Sequence, residues 1–312
     1  MSTAALVELH DSVWREFVDR APNASPFHEP AWAGLLAECY GYHPFALVVS
    51  NGAGIAAGLP VLELPSVHGG KCWVSLPFTD HCAPLTHGGE PHLALALDEA
   101  RRTAGIRQFE VRAPLTGRDT YATSAGFLHV LDLARDANAM FRRFDATTRR
   151  HVRGAERSGI IVRRGESAAD LTETFYRLHS TMRLRRGQLV QPRRYFELLW
   201  DRFLVRGRGF LLLAFIDGEV VAGAVLLTGK RTAIYTHGAA DFRASGPHPN
   251  HALIWAAIQW GCEHGFRTFD LGRTRLDDAA LRAFKSGWGA RETRLVYATI
   301  ADELPRDGLQ AA

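Results

Sequence analysis

Cysteine is scarce in this chain. The 312 residues hold four (Cys39, Cys72, Cys82 and Cys262), with no C-x-x-C pair among them. That excludes a dense disulfide framework and a paired-cysteine zinc site. Histidine is more plentiful, at 14, but no H-E-x-x-H pair occurs, so the spacing assigns no metal. No apolar run approaches the roughly 18 residues that span a bilayer, and the first ten residues lack a basic stretch followed by a hydrophobic one. A soluble, cytoplasmic protein is expected. Also missing are a low-complexity linker and a G-x-S-x-G nucleophile elbow. The first absence predicts closely packed halves, and the second directs attention away from a dedicated nucleophile.

What is present divides unevenly. With 46% apolar and 22% charged residues the chain is globular, and its length suggests about two domains. The formal charge is +4, yet residues 142–194 alone carry 14 arginines against five acids. That local balance of +9 leaves −5 for the remainder. Segregation of this kind points to an anionic partner. Lysine occurs only at Lys71, Lys230 and Lys285.

Two segments repeat one pattern. Phe45–Leu62 and Phe210–Leu227 are apolar runs interrupted by a turn, Asn51-Gly52 in one and Asp217-Gly218 in the other, which is the signature of a hairpin. Gly58 and Gly223 occupy equivalent places. Each hairpin leads to a further strand (Cys72–Leu76; Ala233–His237), then to a loop rich in proline, glycine and histidine. A helix follows (about 91–104; Pro249–Glu263), and then Gly105-Ile-Arg-Gln-Phe-Glu-Val111 or Gly265-Phe-Arg-Thr-Phe-Asp-Leu271, a helix stop followed by a strand. The order β-β-β-loop-α-β occurs twice, which predicts duplicated α/β domains.

Between the repeats, Phe141, Phe144, Thr148, Val152 and Ala155 mark one face of a helix, with Arg142, Arg149, Arg150, Arg153 and Arg157 on the others. Further helices are expected over Ala168–Met182 and Pro192–Val205. Met140, Met182, Phe141, Phe144, Phe175 and Phe196 are assigned to the core.

This order resembles the GNAT acyltransferase fold, and more closely the FemAB-like and BioF2-like acyltransferases, which carry two GNAT-like domains. The most specific match is Phe269-Asp270-Leu-Gly272-Arg273-Thr with Phe284-Lys285-Ser-Gly287-Trp288-Gly289-Ala290. It resembles the family's F-D-[FL]-G-R strand end and F-K-x-x-[WF]-G segment. Supporting matches are Phe27-His28-Glu-Pro-Ala-Trp32, Leu76-Pro77-Phe78-Thr79-Asp80 and Thr148-Arg149-Arg-His-Val-Arg153-Gly-Ala-Glu156. The resemblance implies an α/β fold of tandem GNAT-like domains, with mixed sheets flanked by helices. It also implies N-acyl transfer, in a family whose members extend peptidoglycan precursors from aminoacyl-tRNA or form amides in peptide antibiotics.

Amide formation from an ester or thioester needs a neutral amine, aligned reactants and donors for the oxyanion. Lys285, among small turn-forming residues and beside Trp288, is the first candidate, and the resemblance implies a role in stabilising substrate or intermediate. The alternative is a surface lysine packed on Trp288. Asp270 and Arg273 bracket a strand end, where rigid backbone positions functional groups; an internal Asp270–Arg273 pair is the structural alternative. His237 is a general-base candidate, with Tyr235 and Asn250 flanking the same loop. Asp80 is placed to orient the amine, unless it merely makes a turn. Trp288 is placed with Tyr235, Asn250 and Arg273 in substrate binding. Arg149, Arg153 and Arg183 are candidates for gripping tRNA or a nucleotide-linked precursor, against a plain solvated helix face.

In GNAT enzymes the loop between the third strand of the repeat and the helix that follows it holds coenzyme A pyrophosphate through [QR]-x-x-G-x-[GA]. Here Arg243-Ala-Ser-Gly246-Pro-His248 ends in histidine, and Pro247 and Pro249 remove N–H donors. The expectation is therefore two domains, 1–140 and 141–300, with a tail over 301–312. The active cleft is expected between them and lined mainly by the second, and the last strand (294–300) is expected to pair with the first domain. No permanently bound cofactor is expected. Aminoacyl-tRNA is favoured over acyl-CoA as co-substrate, and a small-molecule or peptide amine accepts the acyl group. A non-catalytic anion-binding protein is the remaining alternative.

Overall fold

The computed structural model describes residues 3–51, 54–66, 69–87 and 92–303. The chain forms two compact units, one of residues 1–126 with 294–312 and the other of residues 127–293. Both are mixed sheets flanked by helices.

In the first unit the elements are β1 (Thr3–Val7), α1 (Ser12–Arg20), α2 (Pro30–Tyr40), β2 (His43–Asn51), β3 (Gly54–Pro65), β4 (Lys71–Val74), β5 (Leu85–Thr86), α3 (Leu93–Thr103) and β6 (Gln108–Val111). Strands β1, β2, β3 and β4 pair antiparallel in sequence, β6 adds parallel to β4, and β5 pairs with β3. The apolar face of α3 (Leu93, Ala96, Leu97, Ala100) closes on Leu47, Val49, Ala57 and Leu59 of the sheet. Strand β7 (Thr120–Asp132) leads out of this unit.

The second unit continues with α4 (Ala137–Arg143), α5 (Ala146–Arg157), β8 (Ile161–Arg164), α6 (Tyr176–Arg185), α7 (Arg193–Leu199), β9 (Gly209–Ile216), β10 (Glu219–Thr228), β11 (Thr232–Ala240), α8 (Pro249–Glu263), β12 (Thr268–Thr274) and α9 (Ala279–Ser286). Its strand order is β7-β12-β11-β10-β9-β8, with only β11 and β12 parallel. Helix α8 buries Leu253, Ile254, Ala257 and Ile258 against Phe210, Leu212, Ala222 and Ala224. The last strand, β13 (Arg291–Ala301), pairs with β6 of the first unit through Ala298–Ala301.

The repeat is built as expected. Helices α3 and α8 end in the same hydrogen-bond pattern, Ile106 N–H to Arg101 O and Phe266 N–H to Gly261 O, and a β-strand follows each. A Cβ on Gly58 would lie 2.8 Å from Trp14, and one on Gly223 would lie 2.7 Å from Phe175. In both units a flanking aromatic ring therefore presses on the second hairpin strand, and only glycine leaves room for it.

Some expectations change. The division falls at 126/127 and not at 140/141, because Phe127–Asp132 of β7 pair with β12. The helix expected across 141–155 is two helices. Asp145 breaks it by capping Thr148 N–H at 2.6 Å while its own N–H donates to Gly287 O at 2.9 Å. The tail expected from 301 begins later. Ala301 ends β13 and Asp302 bonds Arg101 at 2.8 Å, while 304–312 and helix position 91 lie outside the described residues. Helices α6 and α7 adjoin π-helical turns, Asp170–Phe175 and Trp200–Leu204. Met140, Phe144, Phe175 and Phe196 are core, whereas Met182 is only half-buried. No helix among the described residues is long and apolar enough to cross a membrane.

Candidate active site

Strands β11 and β12 pair only through Thr232–Ile234 and Thr268–Asp270, then part. Each is irregular at that point. The β10–β11 register shifts between Val225 and Leu226, and the β12–β7 register shifts between Asp270 and Arg273. Bulges re-aim side chains and free main-chain groups beside sites of chemistry. Here they open a wedge within the second unit, with Tyr235 and His237 on one strand and Leu271 and Gly272 on the other.

His237 is half-buried and shares a 3.0 Å hydrogen bond with the Tyr195 hydroxyl of α7. Burial pushes its pKa down to about 3, helped by the nearby charges of His179 and Arg183. The imidazole is neutral at physiological pH and a weak base, which disfavours the general-base role expected of it. Burial also raises Tyr235 to about 12, keeping that phenol protonated. Arg183, expected to bind substrate, lies near enough to His237 and His179 to act on both, and its Nε donates to Leu189 O at 2.6 Å. Three residues of this group were not anticipated. They are Tyr195, His179 with its unpartnered buried Nδ1, and Gln191, whose Oε1 lies 2.8 Å from His179 Nε2. Their sequence signal was only that of an aromatic and a histidine on helices and a polar residue in the loop between them.

The strand end at β12 is a second cluster. Gly272 adopts φ +73°, and its N–H donates to Asp270 Oδ1 at 2.7 Å. Lys285 Nζ donates to the carbonyls of Gly272 and Arg273, each at 2.9 Å. Asp270 is 2% exposed and Lys285 6%, so the lysine is neither a surface residue stacked on Trp288 nor a group on an open wall. The two side chains hold the Gly272 turn from opposite ends. His129, fully buried, extends the cluster to Glu292 (3.0 Å), which in turn is held bidentately by Arg282. Burial and the Lys285 charge lower the His129 pKa.

Trp288 corrects an expectation. It is 0% exposed, packed among Phe144, Phe284 and His251, and a core indole cannot touch substrate. Arg273 and Asn250 are exposed, and Arg273 meets the second cluster through its main-chain carbonyl. Arg149 is half-buried and donates to Phe144 O, while Arg153 is exposed and lies over the Phe141 ring at 5.3 Å.

The loop before α8 is closed on itself. Arg243 is tied bidentately to Asp241, with contacts of 2.6 and 3.0 Å. The N–H groups of Arg243, Ala244, Ser245 and His248 all donate within the loop. His248 at the head of α8 has a left-handed backbone, φ +62°. Sequence spacing assigned no metal, yet the fold brings His151, His248 and His251 together.

In the first unit the sequence fragments around Trp32 and Asp80 meet. Trp32 Nε1 donates to Thr79 Oγ1 at 2.8 Å, Arg112 donates to Thr79 O at 2.7 Å, and the Tyr297 hydroxyl donates to Asp80 O at 2.6 Å. Leu76 and Phe78 both have positive φ, 76° and 58°. Such strain persists only where surrounding contacts over-determine it, as they do here. Asp80 is thus held by its main chain in a rigid, strained loop.

Comparison with known proteins agrees with this geometry. Residues 141–286 match the family model described as an acetyltransferase (GNAT) domain. Over 163 residues the chain is 26% identical to a UDP-N-acetylmuramoylpentapeptide-lysine N(6)-alanyltransferase of Weissella viridescens, covering 50% of this chain and 47% of that protein. The chain therefore spans about half the length of the curated relative it matches. A crystal structure of FemX superposes with a TM-score of 0.76 at 15% identity, covering 94% of this chain and 96% of that one. The tandem GNAT protein from the clavulanic acid biosynthesis pathway gives 0.57 at 15% identity, covering 98% and 100%. At these identities the structural likeness bears on the fold, which is that of two GNAT-like halves.

Proposed function

We propose that the chain, whose second unit matches a GNAT domain and whose fold is FemX-like, is an N-acyltransferase of the FemAB-like kind, joining an aminoacyl group from aminoacyl-tRNA to the amine of a cell-wall precursor, peptide or small molecule. The observation that carries the choice of donor is the closed loop before α8. A coenzyme A pyrophosphate needs free N–H groups and an uncommitted cation at a helix start. Here Arg243 is neutralised by Asp241, four loop amides are already bonded, and Pro247 and Pro249 have none to offer.

The wedge between β11 and β12 suits an extended acyl arm laid against main-chain groups. The amine attacks the ester carbonyl directly, the tetrahedral oxyanion collapses, and the tRNA hydroxyl leaves with a proton. No covalent enzyme intermediate is required. Asp270 and Lys285 act as positioning residues, fixing the Gly272 turn at the mouth of the wedge. His237, held neutral, presents a hydrogen-bonding ring edge rather than a strong base. Arg150, Arg153 and Arg157 follow one another at helical spacing on α5 and are exposed, which suits phosphate contacts.

Filter retention of charged tRNA, run beside calorimetry with acetyl-CoA, tests the donor. Salt-sensitive retention of charged tRNA that weakens in Arg150→Glu/Arg153→Glu, with no heat from acetyl-CoA, is expected. Micromolar acetyl-CoA binding without tRNA retention would overturn the preference and leave an acyl-CoA-dependent enzyme. tRNA retention with no acyl product from either donor would leave a protein that only binds anions.

A further inference from the structure

His151, His248 and His251 come from two places in the second unit, the middle of α5 and the first turn of α8 with its preceding residue. Their nearest ring nitrogens all lie within 4.8 Å of one another, and all three side chains are half-buried. His151 stacks on His248 with ring centroids 4.0 Å apart and meets His251 edge-on at 4.7 Å. We propose that these three imidazoles form a binding site for a divalent transition cation, zinc in particular, with a fourth position open to water.

The distances suit that ion. Zinc binds imidazole nitrogen at about 2.0–2.1 Å in a tetrahedron, which sets ligand nitrogens about 3.3–3.4 Å apart. His151 Nδ1 and His251 Nε2 are 3.3 Å apart. The third nitrogen lies within 4.8 Å of the other two, and the His248 ring reaches the ion by turning out of its stack on His151. Among the described residues no protein hydrogen bond is made to either ring nitrogen of His248.

The surroundings are also shaped for the imidazoles. Gly154, one turn after His151 on α5, is where a Cβ would sit 3.5 Å from the His248 ring. That distance is ordinary van der Waals contact, so α5 packs directly against the His248 ring at this position. His248 itself sits between two prolines with a left-handed backbone, φ +62°, and its side chain does not cap α8. Strained non-glycine positions gather at ligand clamps. Of the three histidines only His248 has a positive φ, and its ring meets both partners, stacked on His151 and edge-on to His251 at 5.6 Å. An ion here would pin the start of α8 to α5, beside the loop whose amides are closed on themselves. Three protein ligands with one open position is the arrangement of a site that keeps a water.

The test uses the full chain without a polyhistidine tag, stripped with chelator and dialysed. Zinc is titrated in competition with a chromophoric chelator, and cobalt is added separately to read visible ligand-field bands. One equivalent of zinc per chain and tetrahedral-type cobalt absorption are expected. His151→Phe keeps the ring stack while removing a ligand, and His248→Gly relieves the left-handed backbone, so both variants are expected to fold by circular dichroism. Each is expected to weaken zinc at least 100-fold, whereas His264→Ala, at the other end of α8, leaves it unchanged. The proposal is overturned if the parent binds no more zinc than His151→Phe, or if both ligand variants bind as the parent does.

Discussion

Lys285→Met separates two roles for the scarcest basic residue type in the chain. The side chain is 6% exposed, and its ammonium donates to two main-chain carbonyls at 2.9 Å. Methionine matches its length and packs in its place, but it donates nothing. A hydrogen bond from a charged donor contributes about 1.5–3 kcal/mol, while relief of the ammonium's own desolvation offsets part of the loss of two. The net destabilisation is about 2–4 kcal/mol. Each kcal/mol lowers the melting temperature of a domain this size by about 2–4 °C, so a fall of about 5–15 °C is expected in calorimetry. Lys285→Arg should also destabilise, by about 1–3 kcal/mol, because a guanidinium overfills a buried slot. Turnover falls with stability in both, since the Gly272 turn loses its anchor. Were the ammonium instead a donor to the oxyanion, the methionine variant would lose about 100-fold in turnover while melting with the parent. A melting temperature within about 1 °C of the parent, with turnover lost, would refute the anchoring argument.

Three other outcomes follow from the same geometry. Asp270→Ala leaves the Gly272 N–H without its 2.7 Å acceptor and should cost about 1–3 kcal/mol in urea unfolding; an unchanged midpoint would discard the turn-holding role. Gly223→Ala sets a methyl group 2.7 Å from the fully buried Phe175 ring and should destabilise by about 1–3 kcal/mol, and Gly58→Ala should do the same against Trp14; a silent Gly223→Ala would mean that the ring is free to yield. Burial lowers His28 from 6.5 to about 4 and His237 to about 3, so the unfolded chain binds more protons as pH falls below 6.5. Stability from these two groups is therefore complete above pH 6.5 and declines toward pH 4, by at most about 1.4 kcal/mol per pH unit for each, and denaturant midpoints independent of pH between 7 and 5 would contradict it.

What was legible in the sequence was local. Helix α8 runs from Pro249 to Glu263 as read, because proline at its start and Gly265 beyond its end punctuate it without help from the rest of the fold. The paired hairpins were legible for the same reason, since Asp217-Gly218 and the equivalent glycines carry turn and packing signals within a few residues. Features set by distant partners were not legible. The break at Asp145 depends on Gly287, and His237 is shaped by Tyr195 and His179. The burial of Lys285 depends on carbonyls of β12, and no spacing rule reports that a lysine flanked by Phe284 and Ser286 faces inward. The histidine cluster required α5 to meet α8.

The two halves of the repeat differ at the place where function is proposed. In the first unit the strand end carries Glu110 and Arg112, which close on one another as a buried ion pair at 3.0 Å, while Arg112 also reaches Thr79 O. The strand is sealed by its own side chains. In the second unit the corresponding positions are Asp270 and Gly272. Removing the arginine side chain leaves bare backbone at the parting of β11 and β12, and the cation that steadies it is supplied by Lys285 of α9. A buried ion pair stiffens a scaffold but fills the space beside it, whereas a glycine turn braced by Asp270 and Lys285 keeps the strand rigid with no side chain at that place. That exchange is why the same architecture supports the proposed acyl-transfer site in the second unit.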